Sequence, residues 1–80
     1  MIEEIIKKYP NEEILIFDNF NEAIIGFDEK KMTVVYSIKK CIDILQKDGL
    51  NYKEAKEFFY YNTYDTYIGE KTPIFKNDIN

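Results

Sequence analysis

The sequence predicts an α+β fold, a three-stranded antiparallel meander with helices packed mainly on one face. Three observations carry this reading. Apolar residues recur at helical spacing near the start of the chain and again from residue 38. Between these stretches lie three runs of strand length, rich in Ile, Val, Phe and Tyr. The runs are joined by short connections, which implies antiparallel neighbours. A chain of 80 residues is expected to form a single small domain.

Ile2, Ile5, Ile6 and Tyr9 stand at i, i+3, i+4 and i+7 and predict a short helix over residues 2–9. Pro10 stops it, because the residue before a proline disfavours the α region. Residues 13–17, Glu-Ile-Leu-Ile-Phe, are a continuous apolar run and predict a first strand covered on both faces. Asp18-Asn19-Phe20-Asn21 supplies turn residues. A second strand is expected over residues 23–27, with Gly26 marking a bulge or a close backbone approach. After the charged turn 28–31, the β-branched run 32–36 predicts the third strand.

Ser37 is placed as the N-cap of a second helix over residues 38–48, with Ile38, Cys41, Ile42 and Leu45 on its apolar stripe. Lys47 suits the last turn and Gly49 the left-handed position beyond it. Asn51 and Glu54 have the spacing of a capping box, so a third helix is expected from Tyr52, with Leu50 stapled onto Ala55. Its inner face is predicted as Ala55, Phe58 or Phe59, and Asn62, with Lys53 and Glu57 paired outside. The helix is expected to run as far as Ile68 and stop at Gly69. Thr72-Pro73-Ile74-Phe75 reads as an extended segment able to add a fourth strand at a sheet edge, and residues 76–80 as a loose tail.

Composition excludes several classes of function. There is no His and no Arg. The usual general base at neutral pH, the commonest transition-metal ligand and the bidentate phosphate clamp are therefore missing. The expectation is a protein that is not an enzyme and holds no cofactor or metal. Cys41, the single cysteine, cannot form an internal disulfide and is expected in the core. No apolar run approaches the roughly 18 residues that span a bilayer, and the acidic start Met1-Ile2-Glu3-Glu4 is unlike a signal peptide. A cytoplasmic protein with no membrane partner is expected. The net charge of -4 argues against direct nucleic-acid binding and suits approach to a basic surface. Helix, three strands, helix is also the order of a double-stranded-RNA-binding domain. The start of the last helix, Asn51 to Glu57, is charge-balanced where such a domain is basic, so the likeness is one of element order only.

The second half of the chain carries a family resemblance. Tyr52-Lys-Glu-Ala-Lys-Glu-Phe-Phe-Tyr-Tyr-Asn62 followed by Tyr67-Ile-Gly-Glu-Lys-Thr-Pro-Ile-Phe75 resembles a family of small uncharacterised phage and prophage proteins. In that family an Ala-x-x-(Phe/Tyr) helix leads to an asparagine and then to a Gly-Glu-x-Thr-Pro-(Ile/Val)-Phe tail. A looser match runs through Ile14-Leu-Ile-Phe-Asp18, Gly26, Tyr36 and Asp48-Gly49, so the resemblance covers about residues 12 to 75. It implies origin in a phage or mobile element and assigns no catalytic residue.

The candidate site is aromatic. Six aromatics between Phe58 and Tyr67 cannot all face inward from one helix. Tyr60, Tyr64 and Tyr67 fall on a different side from Phe59 and are expected to bind a partner, with Glu70 as an acid beside them. Asn62 is expected to bond a backbone group at the helix end. The acidic pairs Glu3-Glu4 and Glu12-Glu13 are read as solvated, because a catalytic carboxylate pair needs a cleft that separates the two pKa values. The function expected is protein–protein interaction: an accessory protein that binds a host protein, inhibiting a nucleic-acid-handling or defence enzyme. The rival is a small-ligand binder in which tyrosines and lysines hold a nucleotide or signalling molecule. A homodimer is also expected, because residues 13–17 and 32–36 both place apolar side chains on two faces of a sheet. Helix 2–9 covering that surface within one chain is the alternative.

Overall fold

The computed structural model describes residues 1–64 and 69–77. The fold is α+β, with three α-helices and one three-stranded mixed sheet among these residues. The helices are α1 (Ile2–Lys8), α2 (Ile38–Lys47) and α3 (Tyr52–Phe59), and the strands are β1 (Ile24–Asp28), β2 (Thr33–Ser37) and β3 (Ile74–Lys76). No described helix is long and apolar enough to cross a membrane.

β1 and β2 form the expected hairpin, with Phe27 opposite Val34 and Asp28 opposite Thr33. Their register shifts between Ile24 and Gly26, which is the bulge anticipated at that glycine. Each strand begins one residue later than the sequence suggests. Ala23 closes a short 3₁₀ turn, Asn21–Ala23. Met32 takes a left-handed backbone with φ 54° and belongs to the turn. That turn is held by Asp28, whose carboxylate accepts from the Lys30 and Lys31 backbone N–H groups at 3.0 and 3.1 Å.

The third strand is not residues 13–17. That segment enters no ladder: the edge of β1 that it would have flanked in a meander carries no strand among the described residues, and the third strand is β3, from the C-terminal tail, on the far edge of β2. β3 runs parallel to β2, pairing Val35 with Ile74 and Tyr36 with Phe75. The expected antiparallel meander is therefore a hairpin plus a parallel strand, delivered by the long crossover through α2 and α3. Lys76, expected in a loose tail, is the last residue of β3, and residues 78–80 lie outside the described residues. The element order also departs from that of a double-stranded-RNA-binding domain, whose three strands are consecutive.

The reason lies in the aromatic core. Registered partners share a sheet face, so Phe27, Val34, Tyr36 and Phe75 lie together. Phe75 stacks on Tyr36 at 5.5 Å and meets Phe59 of α3 edge-on at 5.2 Å. Phe17 tilts onto both Tyr36 and Phe75, at 5.9 and 5.6 Å, and its N–H donates to the Tyr36 hydroxyl at 2.8 Å. Residues 13–17 thus flank the core through side chains and one side-chain hydrogen bond. β2, central in the sheet, has Thr33, Val34, Tyr36 and Ser37 buried and Val35 half-buried.

α1 docks through Ile5, which is buried, and through Tyr9 just beyond it, stacked on Phe27 at 5.3 Å. Ile6, expected on the inner face, is exposed. Lys8 pairs with Glu29 across the surface at 3.4 Å, and that hydrogen bond and charge raise the lysine pKa. Ser37 ends β2 and caps α2 in the same residue, its Oγ accepting from the Lys40 N–H at 3.1 Å. Gly49 follows α2 with φ 113°, and the Leu50 N–H returns to the Leu45 carbonyl at 3.3 Å, closing a Schellman turn. Both arms of the Asn51–Glu54 capping box form, at 2.9 and 3.0 Å. The ion pair expected between Lys53 and Glu57 is not formed; among the described residues the i,i+4 ion pair is Lys39–Asp43 on α2, at 3.0 Å.

Candidate functional site

α3 presents three different stripes, set by the 3.6-residue turn. Ala55 and Phe59 are buried and bind the helix to the core. Beyond Phe59 the chain continues as a single π-helical turn, Tyr60–Tyr64, in which Thr63 is the buried residue. Asn62, expected on the inner face, is exposed instead, and its Nδ2 donates to the Phe58 carbonyl at 3.2 Å. That backbone bond is the role the sequence suggested for it. π turns of this kind are rare and recur at functional sites.

The predicted partner-binding residues separate. Tyr60 is half-buried, edge-on to Phe59 and to Tyr64 at 5.2 Å each. Tyr64 is 45% exposed and leans on Phe59 and Phe75 at 6.0 and 5.9 Å. These two tyrosines are brought together, with one edge in the core and one in water. Tyr67 lies outside the described residues. Glu70 is exposed in the turn after Gly69, and among the described residues no hydrogen bond joins it to the tyrosines. That turn is closed by Thr72, whose Oγ1 donates to the Gly69 carbonyl at 2.6 Å, and is tied to the chain start by Lys71–Glu12 at 3.1 Å.

Two aromatics of the same run, outside the predicted partner-binding set, are exposed as well. Tyr61 is 80% exposed and Phe58 46%. They stand three residues apart across the junction from α3 into the π turn, and neither shares the buried stripe of Ala55 and Phe59. Which of Phe58 and Phe59 turns inward was decided by Phe75, the edge-on partner of Phe59.

The remaining stripe, Tyr52, Lys56 and Tyr60, faces α2 across a groove of about 410 Å³. Ile38 and Ile42 of α2 are buried at its base, and the Lys39–Asp43 pair lies on its far side. Lys56 Nζ sits 6.0 Å from the centroid of the Tyr52 ring.

Cys41 is fully buried and in no disulfide. Tyr36 is the one buried tyrosine among the described residues; burial raises its pKa, the N–H of Phe17 offsets part of that rise, and Cys41 and Asp18 add to it. Among the described residues no three of the His, Cys, Asp and Glu side chains gather as a metal site would require. No family model, curated protein or solved structure matches the chain.

Proposed function

We propose that this protein is a non-catalytic accessory protein of phage or mobile-element origin that acts by binding a host protein. The observation that supports this reading is the exposed aromatic surface at the end of α3, where Phe58, Tyr61 and Tyr64 stand in water on a single helical segment. Aromatic side chains offer large contact area at small entropic cost and dominate interface energetics. Three of them on so small a body are a costly feature to leave unused, since exposed apolar surface favours association. The net charge of -4 selects a partner with a basic surface. A host nucleic-acid-handling or defence enzyme has such a surface in its substrate groove, and occupation of that groove inhibits it. Glu70 and Tyr64 then belong to the contact, while Tyr60 supports Tyr64 from beneath.

The test compares captures from host lysate by the wild-type chain and by a Phe58→Ser/Tyr61→Ser double variant. Both side chains are exposed, so the variant is expected to keep its fold and thermal stability. The expected outcome is a host protein recovered by the wild type and lost, at least tenfold, with the variant. Equal recovery by both chains sinks the reading of this surface.

A further inference from the structure

The groove between α2 and α3 has a chemistry that partner binding through Phe58 and Tyr61 does not use. Tyr52, Lys56 and Tyr60 recur every fourth residue and form one continuous stripe of α3. Tyr52 is 58% exposed. The base of the groove is aliphatic, from Ile38 and Ile42. Among the described residues, Lys56 has no carboxylate within ion-pair distance, and its ammonium is held over the Tyr52 ring.

We propose that this groove binds a small aromatic anion of the size and chemistry of a nucleoside monophosphate. Volume is the first argument: about 410 Å³ falls within the roughly 300–1,000 Å³ of small-molecule clefts. Shape is the second. Two phenol rings above an aliphatic base present flat apolar surface, against which a planar ring stacks whatever its sequence of polar edges. Charge is the third. Among the described residues the groove is lined by Lys56, Lys39 and Asp43, the last two paired with each other, so Lys56 is the cation it offers, on a chain whose total is -4. Cationic groups localised on an acidic body attract an anion at this place and repel it elsewhere. Lysine binds phosphate as a point charge and needs no fork geometry. The ring lies along Tyr52 and Tyr60, and the anionic group meets Lys56.

The experiment is an NMR titration of the ¹⁵N-labelled full chain with each of the four common ribonucleoside monophosphates, and separately with adenosine and with inorganic phosphate. At least one nucleotide is expected to shift the amides of Ile42, Tyr52, Lys56 and Tyr60 in a saturable way below about 5 mM, an affinity of only a few kcal/mol being required. Adenosine alone and phosphate alone are expected to bind at least tenfold more weakly. Lys56→Gln and Tyr52→Leu, both at exposed positions, are each expected to weaken the nucleotide about tenfold, with amide signals outside the groove unchanged. No response to any of the four nucleotides overturns the proposal. So does an equal response to either half alone, or an affinity that neither substitution changes. Loss of host-protein capture in the Phe58/Tyr61 variant bears on the other surface only, so the two readings fail independently.

Discussion

Thr33 carries a hydroxyl that is buried and without a hydrogen-bond partner among the described residues. An unpaired buried polar atom costs about 1–3 kcal/mol. Thr33→Val replaces it with a methyl at nearly the same volume and keeps the β-branch that suits the central strand. A stability gain of about 1 kcal/mol is expected, read as a higher urea midpoint at unchanged slope; a lower midpoint would mean that the hydroxyl is satisfied in solution. Tyr36 presents the opposite case, a buried hydroxyl with a task. It accepts from the Phe17 N–H, so Tyr36→Phe leaves that donor unpaired and is expected to cost about 1–2 kcal/mol. Burial holds the folded pKa of Tyr36 above the ordinary tyrosine value of about 10. The sign follows from proton binding: the folded chain keeps its proton after the unfolded chain has lost it. This contribution to stability is complete below about pH 10 and is lost as pH rises through the folded value. Alkaline unfolding of the wild type is therefore expected to be steeper with pH than that of Tyr36→Phe. Identical pH slopes would contradict the shift.

Among the elements, α2 and the start of α3 were legible because those boundaries are written locally, whereas the α-helix expected to reach Ile68 ends at Phe59 and passes into the π turn Tyr60–Tyr64, residues 65–68 lying outside the described residues. Ser37, Gly49, Asn51 and Glu54 each act within four residues of their own position, and each takes the expected role. Strands depend on partners, and there the local reading failed. Residues 13–17 have strand composition, yet they do not pair with the free edge of β1; they dock on the core through Phe17, which meets Tyr36 and Phe75. β3 takes the open edge of β2, where Phe75 reaches both Tyr36 and Phe59. A consequence is measurable. The backbone of residues 13–16 makes no backbone hydrogen bond among the described residues, whereas Phe17 donates to Tyr36. In native-state hydrogen exchange the amides of Ile14, Leu15 and Ile16 are expected to exchange early, and Phe17 late, although all four side chains are half-buried. Uniform protection across residues 14–17 would show that the segment pairs with a strand in solution.

For the whole molecule, one of the two strands behind the expected homodimer is absent from the sheet. The expectation required two apolar strands exposed on a second sheet face. Residues 13–17 are not in the sheet, and on the face opposite Tyr36 the half-buried apolar residues are Val35 and its partner Ile74, beside the buried Thr33 and Ser37. On the Tyr36 face Tyr9, just past α1, stacks on Phe27, so the first helix helps to cover the sheet within one chain. Sedimentation at tens of micromolar is expected to give the mass of one 9.6 kDa chain. Twice that mass would restore self-association and direct attention to the unpaired backbone of residues 13–16.

What the sequence determined by itself is what acts over one or two turns of chain. The phase of α2, the caps, the hairpin and its bulge follow from neighbours a few residues apart. The tertiary structure decided which extended segment completes the sheet, which of Phe58 and Phe59 faces inward, and that Tyr52, Lys56 and Tyr60 would meet Ile38 and Ile42 across a groove. Those outcomes turn on contacts between distant positions, above all Phe75 with Tyr36 and Phe59, residues separated by long stretches of chain. Propensity cannot rank such competitors, because each has the same local preference. The difference between them is the aromatic surface that only one arrangement removes from water.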